Sequence, residues 1–326
     1  MIQSRLSKIV LLVAIQLFAF GGCEFFLNAA AAATTFNQAC AYFSVNPKPT
    51  NIWERFRATA QLRAPSQQRL FKHYVNKFKQ TGAGVYQLSA RSEPYLYYIL
   101  EQIEERGLPA ELALLPMVES AFQPTVVSSK GAVGIWQIMP HRGRDSGLLQ
   151  DAWYDGRRDI TASTQAALDY LEFLYETFDD DWFLALAAYN CGPGTVQKAI
   201  RKNRRHGLGT SFWELELPLQ SKQFVPKLLA LAEIIQNASD YGMLLPIIDN
   251  QPYFVAIDIG TKLDLKVAAR LAGIHIKVLQ KLNPGYKQGT THPKKSHQLL
   301  LPVENAETFE INLAKLTSVK SQKRGA

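Results

Sequence analysis

The order of apolar and polar positions divides the chain into two grammars. From Ala64 to about Asn237 apolar residues recur at three- and four-residue steps with little two-residue alternation, which predicts a series of helices. Ala167, Leu171, Leu174 and Phe178 mark one of them, behind Asp159 and Thr161, either of which can cap it. The almost wholly apolar stretch Trp182 to Tyr189 predicts a short buried helix. A further helix from about Phe224 to Asn237 places Val225, Leu228, Leu229, Ala232 and Ile235 on one face, and Gly242 with Pro246 closes the helical region. After a polar linker at 249–252, Tyr253, Val255, Ile257 and Ile259 alternate as in a strand. Leu263 to Ala272 and Ile276 to Leu282 read as two short helices, and Gln298 to Val303 as a second strand. The fold class is therefore mainly α, a helical domain followed by a small β-α-α-β domain at 252–304. Residues 34–63, with weak periodicity and two prolines, read as an extended arm or linker, and 305–326 as a basic tail, frayed from Lys315 onward.

The amino terminus departs from both grammars. Arg5 and Lys8 precede an apolar run from Ile9 to Phe20, followed by small residues, which is the order of a secretory signal over 1–33 and too short to span a bilayer. Its end reads in two ways: Gly21-Gly22-Cys23 offers a cysteine for lipidation, with Phe20 departing from the usual lipobox, and Ala29 to Ala33 offers a signal-peptidase site. The three cysteines, Cys23, Cys40 and Cys191, have spacings that fit neither a disulfide scaffold nor a zinc site, and Cys40 with Cys191 reads equally as a disulfide pair or as two free thiols. A net charge of +8 points to an anionic partner. Export argues against nucleic acid and leaves a wall polymer or a membrane surface.

Candidate chemistry concentrates in three segments. Leu108, Leu112, Leu115 and Phe122 form an apolar stripe on a predicted helix, and Glu119 fills the gap in it. A carboxyl on a buried face has its charged form disfavoured, so its pKa rises toward the range a general acid needs. Glu119 is equally readable as a structural carboxyl paired with Arg142 or Arg144. Next comes Ser128-Ser129-Lys130-Gly131-Ala132-Val133-Gly134-Ile135-Trp136-Gln137-Ile138-Met139-Pro140, whose glycines, hydroxyls, amide and ring suit a site that lets backbone approach a carbohydrate. A structural turn before a core strand accounts for the glycines but not for Gln137. The third segment, Ala187-Ala188-Tyr189-Asn190-Cys191-Gly192-Pro193-Gly194, leaves a helix through a phenol and an amide, and on its own also describes an ordinary helix-to-helix turn.

Together the three segments resemble the catalytic module of the soluble lytic transglycosylases in the goose-type lysozyme superfamily, most closely the membrane-bound lytic transglycosylase D group. Glu119-Ser120 is similar to the family's E-S motif, Gly131 to Pro140 to its glycine-glutamine loop, and Ala187-Ala188-Tyr189-Asn190 to its A-Y-N motif. Tyr154-Asp155-x-Arg157-Arg158-Asp159 and Lys222-Gln223-Phe224-Val225-Pro226-Lys227 resemble the D group further. Gly260-Thr261-x-Leu263 and Leu282-Asn283-Pro284 resemble a LysM glycan-binding module, with a purely structural cap as the other reading of that domain. The resemblance implies a lysozyme-like helical catalytic domain at 96–245, preceded by an arm and helices at 34–95. It implies Glu119 as acid and then base, Ser128, Gln137, Met139 and Asn190 as substrate contacts, and Tyr189 as the residue that positions the glutamate.

That family cleaves peptidoglycan glycan strands between N-acetylmuramic acid and N-acetylglucosamine, leaving 1,6-anhydro ends. Most glycosidases divide the work between two carboxyls. Here Asp145, Asp155 and Asp159 read as caps or arginine partners, so one carboxyl is expected to act twice. The alternatives are a hydrolytic muramidase of the same fold and a non-catalytic wall-binding protein. No metal or cofactor is implied. The basic run Lys198, Arg201, Lys202, Arg204, Arg205 and His206 reads as a solvated helix face or a contact for wall polymers. The expected location is the periplasm, either free or as an outer-membrane lipoprotein.

Overall fold

A computed structural model describes residues 49–294 and 298–324, with the side chains of 318–324 left aside. Cys23, Cys40 and the expected signal segment lie outside the described residues. The chain opens with a short helix, α1 (Ile52–Thr59), started by the Asn51 side chain, which accepts from the Trp53 N–H at 2.9 Å. Ile52, Trp53 and Phe56 are buried, and Ile52 N–H donates to the Ile248 carbonyl at 2.9 Å. Part of the stretch expected to be an arm is thus a helix, because three large apolar side chains at helical spacing outweigh the nearby prolines. Helices α2 (Arg69–Gln80) and α3 (Gly82–Glu105) follow.

The segment expected as one helix from Leu108 to Phe122 is broken. Ala110–Leu114 forms a 3-10 turn and Leu115–Ser120 a short helix, α4, with Pro116 in its first turn. Pro109 and Pro116 each lack the N–H that a continuous helix would need, so the chain restarts at the second one. Leu108, Leu112, Leu115 and Phe122 are nonetheless all buried.

After the short helix α5 (Pro140–Asp145), α6 (Ile160–Thr177) begins where Asp159 accepts from the Ala162 N–H at 2.7 Å. Asp181 caps α7 (Trp182–Cys191), whose middle, Leu184 to Ala188, is fully enclosed. The Gly192 turn leads into α8 (Pro193–Arg205), and α9 (Leu219–Gln236) packs across α2 and α7 at the centre of the core. Burial of these apolar faces, at about 25 cal/mol per Å² of apolar surface, is the main force holding the bundle.

The carboxy-terminal part has its own core. Strands β1 (Phe254–Asp258) and β2 (Gln298–Pro302) pair antiparallel, with Ile257 opposite Leu299, and α10 (Leu265–Ala272) and α11 (Ile276–Leu282) lie between them in sequence. Ile257, Leu265, Leu279, Leu299 and Leu301 are buried together. The alternation of β1 is only half realised: Ile257 and Ile259 are buried, but Tyr253 and Val255 are exposed. The other face of the sheet supplies the reason, since Phe254 packs on Tyr98 at 5.5 Å and Leu300 joins the helical core. The basic tail forms helix α12 (Val303–Arg324), whose first half is held by Phe309, fully buried in the small core.

Besides the apolar contacts of Phe254 and Leu300, a polar seam joins the small core to the helical part. Asp155 N–H donates to the Gly285 carbonyl at 3.0 Å and Lys287 N–H to the Trp153 carbonyl at 2.9 Å. The Lys287 ammonium donates to the Asp151 carbonyl at 2.7 Å, and His292 Nε2 lies 3.0 Å from the Asp151 carboxylate. Gly285 is required there because a Cβ would come within 2.8 Å of the Tyr154 ring.

Candidate active site

Glu119 lies in the last turn of α4, immediately before two residues in left-handed backbone, Ala121 (φ 52) and Phe122 (φ 54). Such backbone is unfavourable for residues other than glycine. It holds here because Phe122 is buried, stacked at 6.0 Å on Tyr95, and because Ser120 Oγ donates to the Ile135 carbonyl at 2.9 Å. The turn therefore fixes the end of α4 against the following loop.

The carboxyl of Glu119 is surrounded by protein yet keeps partial solvent access, as the wall of a cleft does. Desolvation pushes its pKa from 4.5 up to about 7, with the Lys227 ammonium of α9 pulling weakly the other way. Among the described residues Glu119 has no hydrogen bond and no ion pair, and neither Arg142 nor Arg144 reaches it. The structural role is filled by a different residue of the same segment. Glu111, fully buried, accepts from the Gln61 N–H at 3.1 Å and the Leu62 N–H at 2.8 Å, with Arg63 at 3.4 Å.

The loop 128–140 folds back on itself through bridges of Val133 with Val127 and Ile138. Ser128 Oγ accepts from the Ala132 N–H at 2.9 Å, closing the turn. Gly134, at φ 85, passes so close to the next segment that a Cβ would lie 2.1 Å from the Arg157 carbonyl oxygen. Gln137 takes left-handed backbone (φ 49), and its amide donates to the Gly134 carbonyl at 2.9 Å. Beneath this loop, Arg157 pairs with Asp155 at 2.8 Å and donates to the Gly131 carbonyl at 3.1 Å. Trp136 is anchored in the core by its indole N–H to Thr164 Oγ1 at 3.0 Å.

Tyr189 comes from the end of α7. Its hydroxyl donates to the Trp136 carbonyl at 2.8 Å, and burial, with Glu119 nearby, raises its pKa well above the usual value. Asn190 is oriented by Ser221, whose hydroxyl donates to Asn190 Oδ1 at 2.7 Å. Gln137, Met139, Tyr189 and Asn190 together line a cleft of about 320 Å³, whereas Ser128 and Glu119 are not among its lining residues. Glu119 reaches the cleft electrostatically through Tyr189. The remaining acids stand as arginine partner and cap: Asp155 on Arg157, and Asp159 at the start of α6, where it also accepts from the Tyr154 hydroxyl. Arg201, Arg204 and Arg205 of the basic run are exposed on α8, and Lys202 pairs with Glu216 at 2.6 Å.

Several cleft residues were not singled out as site residues from the sequence. Arg142 lies with its guanidinium 3.8 Å over the Tyr170 ring, and Tyr170 packs on Tyr189 at 5.9 Å. Lys130 and His141 also line the cleft. Arg142 follows a recognisable motif by two residues, and that adjacency is the only sequence signal for it. Among the described residues no group of three His, Cys, Asp or Glu side chains is placed to hold a metal ion, and no helix is long and apolar enough to cross a membrane.

Residues 97–208, which hold Glu119, the loop and the cleft, match the family described as Transglycosylase SLT domain. Residues 97–208 thus carry a transglycosylase SLT domain. Residues 253–318 match the family described as Lytic transglycosylase MltD, LysM-like domain. The chain is 38% identical over 264 residues to membrane-bound lytic murein transglycosylase D of Escherichia coli K12, covering 81% of this chain and 58% of that relative. It thus spans a little over half the length of that relative. Membrane-bound lytic murein transglycosylase C of Pectobacterium atrosepticum is 29% identical over 136 residues, 37% of this chain and 38% of its own. An X-ray structure of an inactive mutant of lytic transglycosylase Slt from Pseudomonas aeruginosa aligns with a TM-score of 0.36 and 26% identity, over 44% of this chain and 24% of that one.

Proposed function

We propose that this protein is a peptidoglycan lytic transglycosylase in which Glu119 is the single acid/base group. The observation that carries the reading is a carboxyl enclosed by protein, interacting with the cleft residue Tyr189, that has no hydrogen bond or ion pair among the described residues and a pKa raised to about 7. In the ground state Glu119 is protonated and gives its proton to the glycosidic oxygen as the bond from muramyl C1 breaks. The acetamido oxygen of the same sugar stabilises the positive charge that develops. The Glu119 carboxylate then removes the proton of the C6 hydroxyl as its oxygen attacks C1. This closes a 1,6-anhydro ring, consumes no water and returns the proton to Glu119. Among the described residues no Asp or Glu lines the cleft, and Asp155 and Asp159 are engaged elsewhere, which suits a reaction that uses one carboxyl twice.

Gln137, Met139 and Asn190 contact the glycan in this reading, Ser128 shapes the loop beside it, and Tyr189 holds the loop and the glutamate in register. The LysM-like part is the candidate second contact for glycan strands. Envelope association follows from the membrane-bound relatives, and a lipid on Cys23 is one means of achieving it. Palmitate labelling of wild type that vanishes in Cys23→Ser supports the anchor, and no labelling of wild type removes it.

The test is mass spectrometry of sacculi digested by the full chain. Anhydromuramyl ends that disappear in a folded Glu119→Gln variant are expected. Products heavier by one water, with reducing muramyl ends, would replace the proposal with a hydrolytic muramidase. Undiminished turnover by Glu119→Gln would remove Glu119 from the mechanism.

A further inference from the structure

The cleft beside Glu119 has a charge that the proposed acid/base chemistry does not use. Lys130, His141 and Arg142 all line it, and among the described residues no Asp or Glu does. Arg142 has no carboxylate within 4.0 Å among the described residues; its guanidinium lies 3.8 Å over the Tyr170 ring and also interacts with the Tyr170 hydroxyl. A contact of this kind fixes the plane of a guanidinium, and one bond to the Tyr170 hydroxyl leaves most of its five N–H donors available. Those donors match the two oxygens of a carboxylate, which they hold through parallel charge-assisted hydrogen bonds.

Tyr170 itself is held. It packs on Tyr189 at 5.9 Å and Phe173 at 6.2 Å, so Arg142 rests on an aromatic support shared with Tyr189, whose hydroxyl feels the Glu119 carboxylate. The support ties the position of the positive charge to that of the reacting carboxyl. A sugar cleaved at Glu119 therefore presents its substituents to this charge.

We propose that Arg142, with Lys130 and His141 around it, is a carboxylate-binding subsite that holds an anionic substituent of the muramyl sugar. The inference rests on the glycan-cleaving reading for the identity of the ligand. Two carboxylates share the required chemistry: the lactyl group of a peptide-free muramyl residue, and the carboxylates of an attached peptide. A neutral glycan of N-acetylglucosamine alone has neither. The subsite accordingly gives the cleft a preference for wall glycan over neutral polymers of the same backbone.

Binding without turnover tests this apart from the mechanism. The full chain carrying Glu119→Gln is titrated calorimetrically with peptide-free muramyl glycan, with peptide-bearing glycan fragments and with chitotetraose. Adding Arg142→Gln is expected to raise Kd for the anionic ligands by about tenfold to a hundredfold and to leave chitotetraose unchanged. Arg142→Lys should recover part of the loss, and Lys130→Gln, a change at an exposed residue, should give a smaller loss in the same direction. A loss confined to the peptide-free glycan assigns the lactyl group, and a loss confined to the peptide-bearing one assigns the peptide. An equal loss for all three ligands, or none for the anionic ones in protein with an unchanged melting curve, overturns the subsite. Continued cleavage by Glu119→Gln would instead count against the acid/base assignment, and the charge dependence of binding would still be read.

Discussion

Replacing Glu119 by glutamine should stabilise the protein at alkaline pH and do little at acid pH. Its carboxyl pKa is raised from 4.5 to about 7 by desolvation, so the folded protein holds this proton more tightly than the unfolded chain does. The stabilisation from that proton is fully present below the unfolded pKa near 4.5 and is lost as pH rises through the folded pKa near 7. At about 1.4 kcal/mol per pKa unit, the shift corresponds to about 3 kcal/mol between the two limits. Glutamine keeps the shape and has no charge to desolvate, so the variant escapes this loss. Urea unfolding followed by circular dichroism at about pH 5 and about pH 8 measures it. The advantage of Glu119→Gln over wild type should grow by about 2–3 kcal/mol between those pH values. An advantage that is the same at both would show that the carboxyl titrates as an ordinary glutamate and would take away the basis for its role as an acid.

Other consequences follow from the same geometry. Cleavage should decline as pH rises above about 7, where Glu119 loses its proton; removing the nearby positive charge with Lys227→Met should move that limb of the kcat/KM profile upward, and a downward move would contradict the assigned direction. Gly134→Ala combines a φ of 85 with a 2.1 Å approach to the Arg157 carbonyl, so a loss well above about 2 kcal/mol is expected in thermal or chemical unfolding. Arg157→Met removes the close partner of buried Asp155, leaving only Arg158 at 3.9 Å, and should cost about 3 kcal/mol by urea denaturation; a loss near zero would mean that the pair does not hold the loop.

The helices with long apolar repeats were legible in the sequence because their burial pattern is local: α6, α7 and α9 each carry their own stripe and, in two cases, their own cap. Glu119 was legible as the polar interruption of such a stripe, although the stripe lies on a 3-10 turn and a short helix. The burial that perturbs Glu119 comes from the loop and α9, which no local period records. Glu111 was passed over for the same reason. Its partners are backbone N–H groups about fifty residues earlier in the chain, and only the fold separates its satisfied carboxyl from the unsatisfied one at 119. The Arg142 stack was hidden similarly, since 36 lysines and arginines compete for attention and nothing local to 142 points to Tyr170. Strand β1 misled because the second buried face of its sheet meets another part of the chain.

The left-handed backbone at Ala121, Phe122 and Gln137 has one more consequence. A short peptide copied from residues 108–140 would relax out of these conformations, each unfavourable by about 1–2 kcal/mol for a residue with a Cβ. Grafting the motif letters onto another helical scaffold would therefore reproduce the order of the groups without their arrangement. What has to be transplanted is the surrounding frame: Tyr95 under Phe122, Ile135 bonded to Ser120, and Arg157 beneath the glycines.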